Sequence, residues 1–270
     1  MEPLIAGDRI REYDIGSYTT PTATYTPPSS VSNRARGMTV IPGTDIVIVG
    51  RTTDPKLVAF SLSNPTVQLA SANIANRDIV GVAYDTRRNR VLLAADEETG
   101  STARVVIETT YDTTANTFGT RPVERSIGTT GVYSGSVLVS AITYDSTRNR
   151  VILSSIRYLL EYTPGSYSTP LYGVSSITAG QNIQGLAYDS ERNRVITGES
   201  GRFIREYTPG RYGTSRRLSS SGISFTPVAM TYRVAPTGPD NLDLGATAAG
   251  GLYLGSNEVD ALRLGSTQIF

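Results

Sequence analysis

The chain has 270 residues, 39% hydrophobic and 18% charged, with 25 basic against 24 acidic side chains and a formal charge of +1. That length suffices for one closed domain with a large shared core, and the charge balance gives no global field toward nucleic acid or an anionic membrane. Cysteine and histidine are both absent, which removes disulfides, thiolate chemistry, Ser-His-Asp and Cys-His catalysis and imidazole-based zinc sites, and leaves the redox compartment unread.

The chain opens with LIAGDRIREYDIGSY (Leu4–Tyr18). Residues 4–28 read as the second, third and fourth strands of a small sheet with no first strand ahead of them. Residues 29–36 form a polar connector. Residues 37–74 read as a complete four-stranded unit whose first turn is shortened to Pro42-Gly43-Thr44-Asp45. Residues 80–130 form a longer unit, with additional residues near 109–125. Residues 140–178 and 184–223 are the two cleanest copies, and 227–270 read as the last. Residues 228–234 would be its first strand, 251–257 its second and 258–264 its third.

The clean copies show why each unit is a meander. In Gly185–Tyr212, GLAYDSERNRVITGESGRFIREYTPGRY, two short apolar runs flank Asp-Ser-Glu-Arg-Asn-Arg. Asp and Asn suit that turn because their side chains bond nearby backbone and Asn tolerates positive φ. Two apolar runs so joined make a hairpin. Arg-Phe-Ile-Arg-Glu-Tyr then alternates as a third strand, and Thr-Pro-Gly-Arg turns into a ragged fourth. The pattern returns in AITYDSTRNRVILSSIRYLLEYTPGSY (Ala141–Tyr167) and, for its first half, in GVAYDTRRNRVLLAADE (Gly81–Glu97).

Equivalent positions fall at Ile41, Tyr84, Tyr144, Tyr188 and Tyr232, steps of about 44 residues except for one longer interval that holds an inserted hairpin. Four antiparallel strands at this spacing predict an all-β fold, a single β-propeller domain over residues 1–270. Four complete units and two partial ones sum most simply to six blades. A five-bladed ring, with residues 228–234 completing the first blade, is the alternative. No run of about 18 apolar residues predicts a membrane span, and no signal peptide is visible at the N-terminus.

The order apolar, Tyr-Asp, polar, Arg-Asn-Arg-Val, apolar, Gly-acid, Arg-Phe-Ile-Arg-Glu-Tyr resembles the NHL repeat and the gluconolactonase-like propellers. In those families an Asp-x-x-Gly-Asn turn precedes an apolar strand ending in Ala-Asp. Asp189-Ser-Glu-Arg-Asn193 holds that turn here, with Arg in place of Gly, and Ala95-Asp96 and Gly7-Asp8 resemble the strand ending. The resemblance is architectural; no WD dipeptide or sialidase Asp-box is present, and the single Gly-Gly pair, Gly250-Gly251, does not recur from unit to unit as a kelch double glycine would.

Asp85, Asn89, Asp145, Asn149, Asp189 and Asn193 recur at equal spacing, which marks them as turn-builders that help pair one blade with the next. Glu12, Glu161 and Glu206 precede tyrosines on third strands, where alternation predicts a solvated face. The loops between second and third strands are where the copies disagree, and in a propeller they share one rim with the connectors between blades. Asp8, Arg51, Asp96, Arg157, Glu199 and Asn257 are therefore the candidate binding rim. Gluconolactonase-like enzymes hold a divalent cation through Glu, Asn and Asp on such a rim. That resemblance would assign Ca²⁺ to Asp8, Asp96, Glu199 and Asn257, with the ion polarising a lactone carbonyl. Asp240–Gly245 only faintly resembles a calcium loop.

Lys56 is the only lysine. The excess of arginine reflects either base composition or guanidinium forks that tie blades or subunits together. Two function classes compete. One is a non-catalytic module that binds a protein or glycan, as a virion component or subunit of a larger assembly, using its 16 tyrosines as contact area. The other is a Ca-dependent lactone hydrolase. The first is preferred, with no cofactor, no nucleic acid and no membrane partner, and an oligomer or larger assembly as its setting.

Overall fold

The computed structural model describes residues 2–6, 9–14, 18, 20–31, 35–74, 76–97, 104–128, 139–155, 158–174, 182–200, 203–218, 229–233, 252–254, 257–259, 263–264 and 267–268. Every regular element among them is a strand, and the chain divides into two compact units, Met1–Val234 and Ala235–Phe270.

In the first unit the strands are β1 (Glu2–Ala6), β2 (Ile10–Glu12), β3 (Ala23–Tyr25), β4 (Ala35–Val40), β5 (Ile46–Arg51), β6 (Leu57–Ser61) and β7 (Gln68–Ala72). They continue as β8 (Arg77–Asp85), β9 (Arg90–Glu97), β10 (Val105–Thr109), β11 (Tyr111–Asp112), β12 (Thr117–Phe118) and β13 (Val123–Ser126). Next come β14 (Val139–Asp145), β15 (Arg150–Ser155), β16 (Tyr158–Tyr162) and β17 (Tyr172–Val174). The last are β18 (Ile183–Asp189), β19 (Arg194–Glu199), β20 (Phe203–Thr208), β21 (Arg211–Arg217) and β22 (Ala229–Arg233).

Four blades are each built from one contiguous segment: β4-β5-β6-β7, β8-β9-β10-β13, β14-β15-β16-β17 and β18-β19-β20-β21. A fifth four-stranded sheet is composite, in the order β22-β1-β2-β3. There β22 runs antiparallel to β1, with Ala229 opposite Ala6 and Arg233 opposite Glu2. The expectation that residues 227–270 begin a sixth blade is thereby corrected. β22 fills the missing first position beside β1, where it pairs a sheet edge that would otherwise be open. The inserted residues of the second blade form the hairpin β11–β12.

The second unit, taken by itself, has two hairpins, β23 (Leu252–Leu254) with β24 (Asn257–Val259) and β25 (Arg263–Leu264) with β26 (Thr267–Gln268). Asp240–Gly245 lies outside the described residues.

The first strands β4, β8, β14, β18 and β22 touch in that cyclic order, with β22 returning to β4. The apolar core follows the same circuit in five clusters, one between each pair of neighbouring sheets. Second strands of the contiguous blades are apolar at their centres because a neighbouring sheet covers each face. β5 is buried at every position, as are Val151 to Ser155 of β15. Outer strands have water on one side and read as polar: all of β13 is exposed, and so is β21 apart from Tyr212.

Each contiguous blade also carries a register shift at the same point of its first strand, between Ala35/Gly37, Ile79/Gly81, Val139/Ala141 and Ile183/Gly185. The bulge bends the strand toward the axis, where backbones come close. A Cβ on Gly37 would lie 2.4 Å from the Gly81 Cα, and one on Gly81 would lie 2.8 Å from the Ile142 nitrogen. Small residues after the bulge are what let the first strands converge.

Candidate functional site

The repeated turn is the most ordered chemical feature of the fold. In the third blade, Asn149 takes φ 55°, and its Oδ1 accepts a hydrogen bond from the Tyr144 hydroxyl at 2.8 Å. Asp145 is fully buried. Its Oδ1 accepts from the Arg148 amide at 2.9 Å and its Oδ2 from Arg148 Nε at 2.6 Å. The same guanidinium reaches Glu161 with Nη2 at 2.6 Å and Nη1 at 3.1 Å. Glu161 in turn accepts from the Tyr212 hydroxyl at 2.5 Å and the Gly210 amide at 3.1 Å, both in the fourth blade. Gly210, at φ +72°, sits so near Arg148 that a Cβ there would lie 3.0 Å from Nη1.

The second blade repeats the arrangement. Asn89 takes φ 54° and accepts from the Tyr84 hydroxyl. Arg88 spans Asp85 (2.5 Å) and Glu108 (3.0 Å), and Tyr167 of the third blade donates to Glu108 at 2.8 Å. In the fourth blade, Asn193 takes φ 52° and accepts from the Tyr188 hydroxyl at 3.0 Å, and Arg192 spans Asp189 (2.5 Å) and Glu206 (3.2 Å). At this seam the tyrosine link is rerouted. Arg192 Nη2 donates to the Tyr232 hydroxyl at 3.5 Å, and Tyr232 pairs with the Tyr18 hydroxyl at 3.3 Å.

The electrostatics follow from this packing. Burial works against charge on Arg88, Arg148 and Arg192, yet their carboxylate partners hold all three above the ordinary arginine value. Burial, then the charge of Asp85, pushes the Tyr144 hydroxyl up to about 12. Burial, then the charge of Asp145, does the same to Tyr188, about 12, against a bond to Thr147 that acts the other way.

Two expectations from the repeat are corrected here. Glu12, Glu161 and Glu206 are buried rather than on a solvated face, because each carboxylate is turned into the packed interior. The tyrosines are mostly interior as well; Tyr162, Tyr167, Tyr207 and Tyr212 are each no more than 1% exposed. The paired tyrosines of each Tyr-Thr-Pro-Gly-x-Tyr turn meet edge to face, with ring centroids 6.1 Å apart in the third blade and 6.2 Å in the fourth.

The candidate rim lies at the opposite end of the strands. Arg51 ends β5, is 2% exposed, and donates to the Pro55 carbonyl at 2.8 Å and to Thr53 Oγ1 at 2.9 Å. Asp96, in β9, accepts from Arg104 Nε at 3.0 Å. Burial lifts its carboxyl above the ordinary aspartate value, and Arg104 opposes the rise. Glu199 ends β19, is fully buried, and is ion-paired to Arg205 Nε at 3.1 Å. Each of these three thus has a partner within its own blade. Asp8 and Arg157 lie outside the described residues, as does the side chain of Asn257 in β24. Among the described residues, no group of three or more Asp, Glu, His or Cys is placed to hold a metal ion.

At the turn-bearing end, the tops of the first strands frame a cavity of about 160 Å³, walled by Tyr84, Tyr144, Tyr188 and Tyr232. It is smaller than the roughly 300–1,000 Å³ usual for organic ligands.

The outer flank of the third and fourth blades is different. Leu171 and Tyr172, 55% and 38% exposed, are two of the four large apolar side chains exposed among the described residues. The Tyr172 ring lies 6.0 Å from that of Tyr212 in β21. β21 is the outermost strand of its sheet and seven residues long, with Arg211, Arg216 and Arg217 exposed along it. Composition pointed to no such patch, because the exposed positions of β21 show only once the pairing is known.

No family model and no curated protein matches the chain. Solved structures do match. A chain in the crystal structure of a nidogen/laminin complex superposes with a TM-score of 0.54, covering 86% of this chain and 81% of that one at 13% identity. At that identity the likeness shows the fold, and the fold is a β-propeller.

Proposed function

We propose that this chain is a non-catalytic, NHL-like propeller module that binds a protein partner along the outer flank of its third and fourth blades. The observation that carries the proposal is where exposed apolar and basic groups coincide. The repeated carboxylates at the turn-bearing end are committed to interblade ties, whereas Leu171 and Tyr172 face water beside an arginine-rich strand that pairs with no further strand among the described residues. An unpaired edge is a template for an added strand, and Arg211, Arg216 and Arg217 favour an acidic extended segment. The nidogen/laminin structure, itself a complex, fits a module of this kind. Asp96 and Glu199 each neutralise an arginine, so neither favours the calcium-dependent lactonase reading.

The test compares the native chain with a Leu171→Glu/Arg216→Glu variant in quantitative affinity capture, then rebinds the captured partner in purified form. Loss of one defined partner, reproduced as at least about a tenfold weaker dissociation constant, supports the proposal and shows whether that partner is a subunit of a larger assembly. Equal binding by both forms would overturn the flank. Calcium-dependent heat together with lactone turnover would overturn the non-catalytic reading.

A further inference from the structure

A second surface stands apart from that flank. The hairpin β11–β12, inserted in the second blade, lies against β7, the outer strand of the first. Between them runs a groove of about 480 Å³, within the size range of sites for organic ligands. The hairpin is firmly built. Its turn repeats the blade motif in miniature, with Asn116 at φ 52° accepting from the Tyr111 hydroxyl at 3.1 Å. Asp112 caps it by accepting from the Thr114 and Ala115 amides at 2.8 and 2.9 Å. Tyr111 also holds Phe118 edge-on, with ring centroids 4.9 Å apart.

We infer that this groove binds a neutral saccharide. Its wall contains no ionisable side chain among the described residues, so an anionic or cationic ligand would be desolvated there without a counter-charge. It offers instead the Phe118 ring and the hydroxyl and amide groups of Ser71, Asn73, Asn116, Thr117 and Thr120. An aromatic platform with neutral donors and acceptors suits a sugar, whose C–H face packs on a ring while its hydroxyls need partners of both kinds. The other candidate occupant, an extended peptide added to β7, is disfavoured because the hairpin already lies against that strand.

The test is calorimetry and saturation-transfer NMR on the full chain with neutral oligosaccharides (cello-, xylo-, manno- and malto-oligosaccharides), with oligogalacturonate as the anionic control. One neutral probe should bind. Ser71→Trp, placed at an exposed position of the wall, should abolish binding without lowering the melting temperature. Asn73→Ala should weaken it by about tenfold, and it decides the matter should the tryptophan variant fold poorly. The inference is overturned if no neutral probe binds at about 10 mM, or if oligogalacturonate binds as well as the neutral probes. It is equally overturned if Ser71→Trp folds and binds like the native chain, or if it blocks a peptide and no sugar.

Discussion

Removing the Glu161 carboxylate should loosen the third blade from the fourth, and the structure sets the size of the effect. Glu161 is 3% exposed and accepts from two guanidinium nitrogens, the Tyr212 hydroxyl and the Gly210 amide. In Glu161→Ala all of these donors lose their acceptor. Breaking a buried ion pair from one side costs about 3–5 kcal/mol. The low end applies here, because the Arg148 side chain is 30% exposed and keeps Asp145 at 2.6 Å. A loss of about 3 kcal/mol corresponds to a melting point lower by roughly 6–12 °C in a chain of this size. The cross-blade hydrogen bond itself is isolated by the cycle Glu161→Ala, Tyr212→Phe and the double variant, read by equilibrium urea unfolding. The hydroxyl-to-carboxylate bond of 2.5 Å is charge-assisted, so the coupling should reach about 1.5 kcal/mol or more. Additivity within about 0.5 kcal/mol would mean that the two side chains do not act together, and the blade-to-blade tie would be refuted.

Further predictions rest on separate features. Gly37→Ala places a methyl group 2.4 Å from backbone and should cost about 1–3 kcal/mol or more. Gly213→Ala, where a Cβ meets nothing within 4 Å, is the control and should melt like the native chain. Asn149→Ala must hold alanine at φ 55° and removes the Asn149 acceptor from the Tyr144 hydroxyl, which keeps Asp85, a combined cost of about 2 kcal/mol. Asn149→Gly should lose less, and equal losses would show that the backbone conformation is not at issue. Tyr144 and Tyr188, pushed up to about 12, favour the neutral hydroxyl in the fold over the ordinary value near 10. Their contribution is fully present below about pH 10 and is lost as pH rises toward 12, so far-ultraviolet dichroism should show unfolding in that window. A Tyr144→Phe/Tyr188→Phe variant should unfold at higher pH relative to its own neutral stability.

What was legible in the sequence was whatever repeats. The spacing of Tyr84, Tyr144, Tyr188 and Tyr232, the Asp and Asn turns and the inserted hairpin all follow from local chemistry at fixed intervals. The sequence left residues 228–234 with two fates, opening a further blade or completing the first, because a closing strand and an opening strand carry the same apolar pattern; the pairing of Ala229–Arg233 with Glu2–Ala6 decides for the second. Glu161 and Glu206 were misread for a related reason. Alternation along β16 and β20 says which side chains share a face. It does not say that the next blade brings a tyrosine down onto that face. The rim residues Arg51, Asp96 and Glu199 stood out because the copies differ there, yet the structure finds each of them paired inside its own blade. Difference among copies marked freedom from the repeat; it did not mark a common ligand.

The interface between the first and second blades shows what the ties are for. Val40 occupies the register of Tyr144, each opposite the first valine of its second strand, and Ala59 occupies that of Glu161. The Asp-Arg-Glu tie therefore has no counterpart at these positions. Ile41, Ile46, Ile48 and Leu57 pack directly on Ile79, Val82, Leu93 and Ile107. Apolar packing of this kind can equal or exceed a buried ion pair in stability, so the ties elsewhere are not required for cohesion alone. Apolar contact is non-directional, however, and lets one sheet slide along its neighbour. A guanidinium fork with a cross-blade tyrosine does not. Where the fork is missing, two other features fix the sliding coordinate: the approach of Gly37 to Gly81, and a buried ammonium reaching from the residue before β6 to β8. That ammonium is Lys56, 2% exposed, with Nζ 3.0 Å from Asp78. The only lysine of the chain thus crosses an interface that lacks the arginine tie. Its flexible stem with a point charge spans a gap between neighbouring sheets that the planar arginine fork bridges elsewhere with help from the next blade's tyrosine.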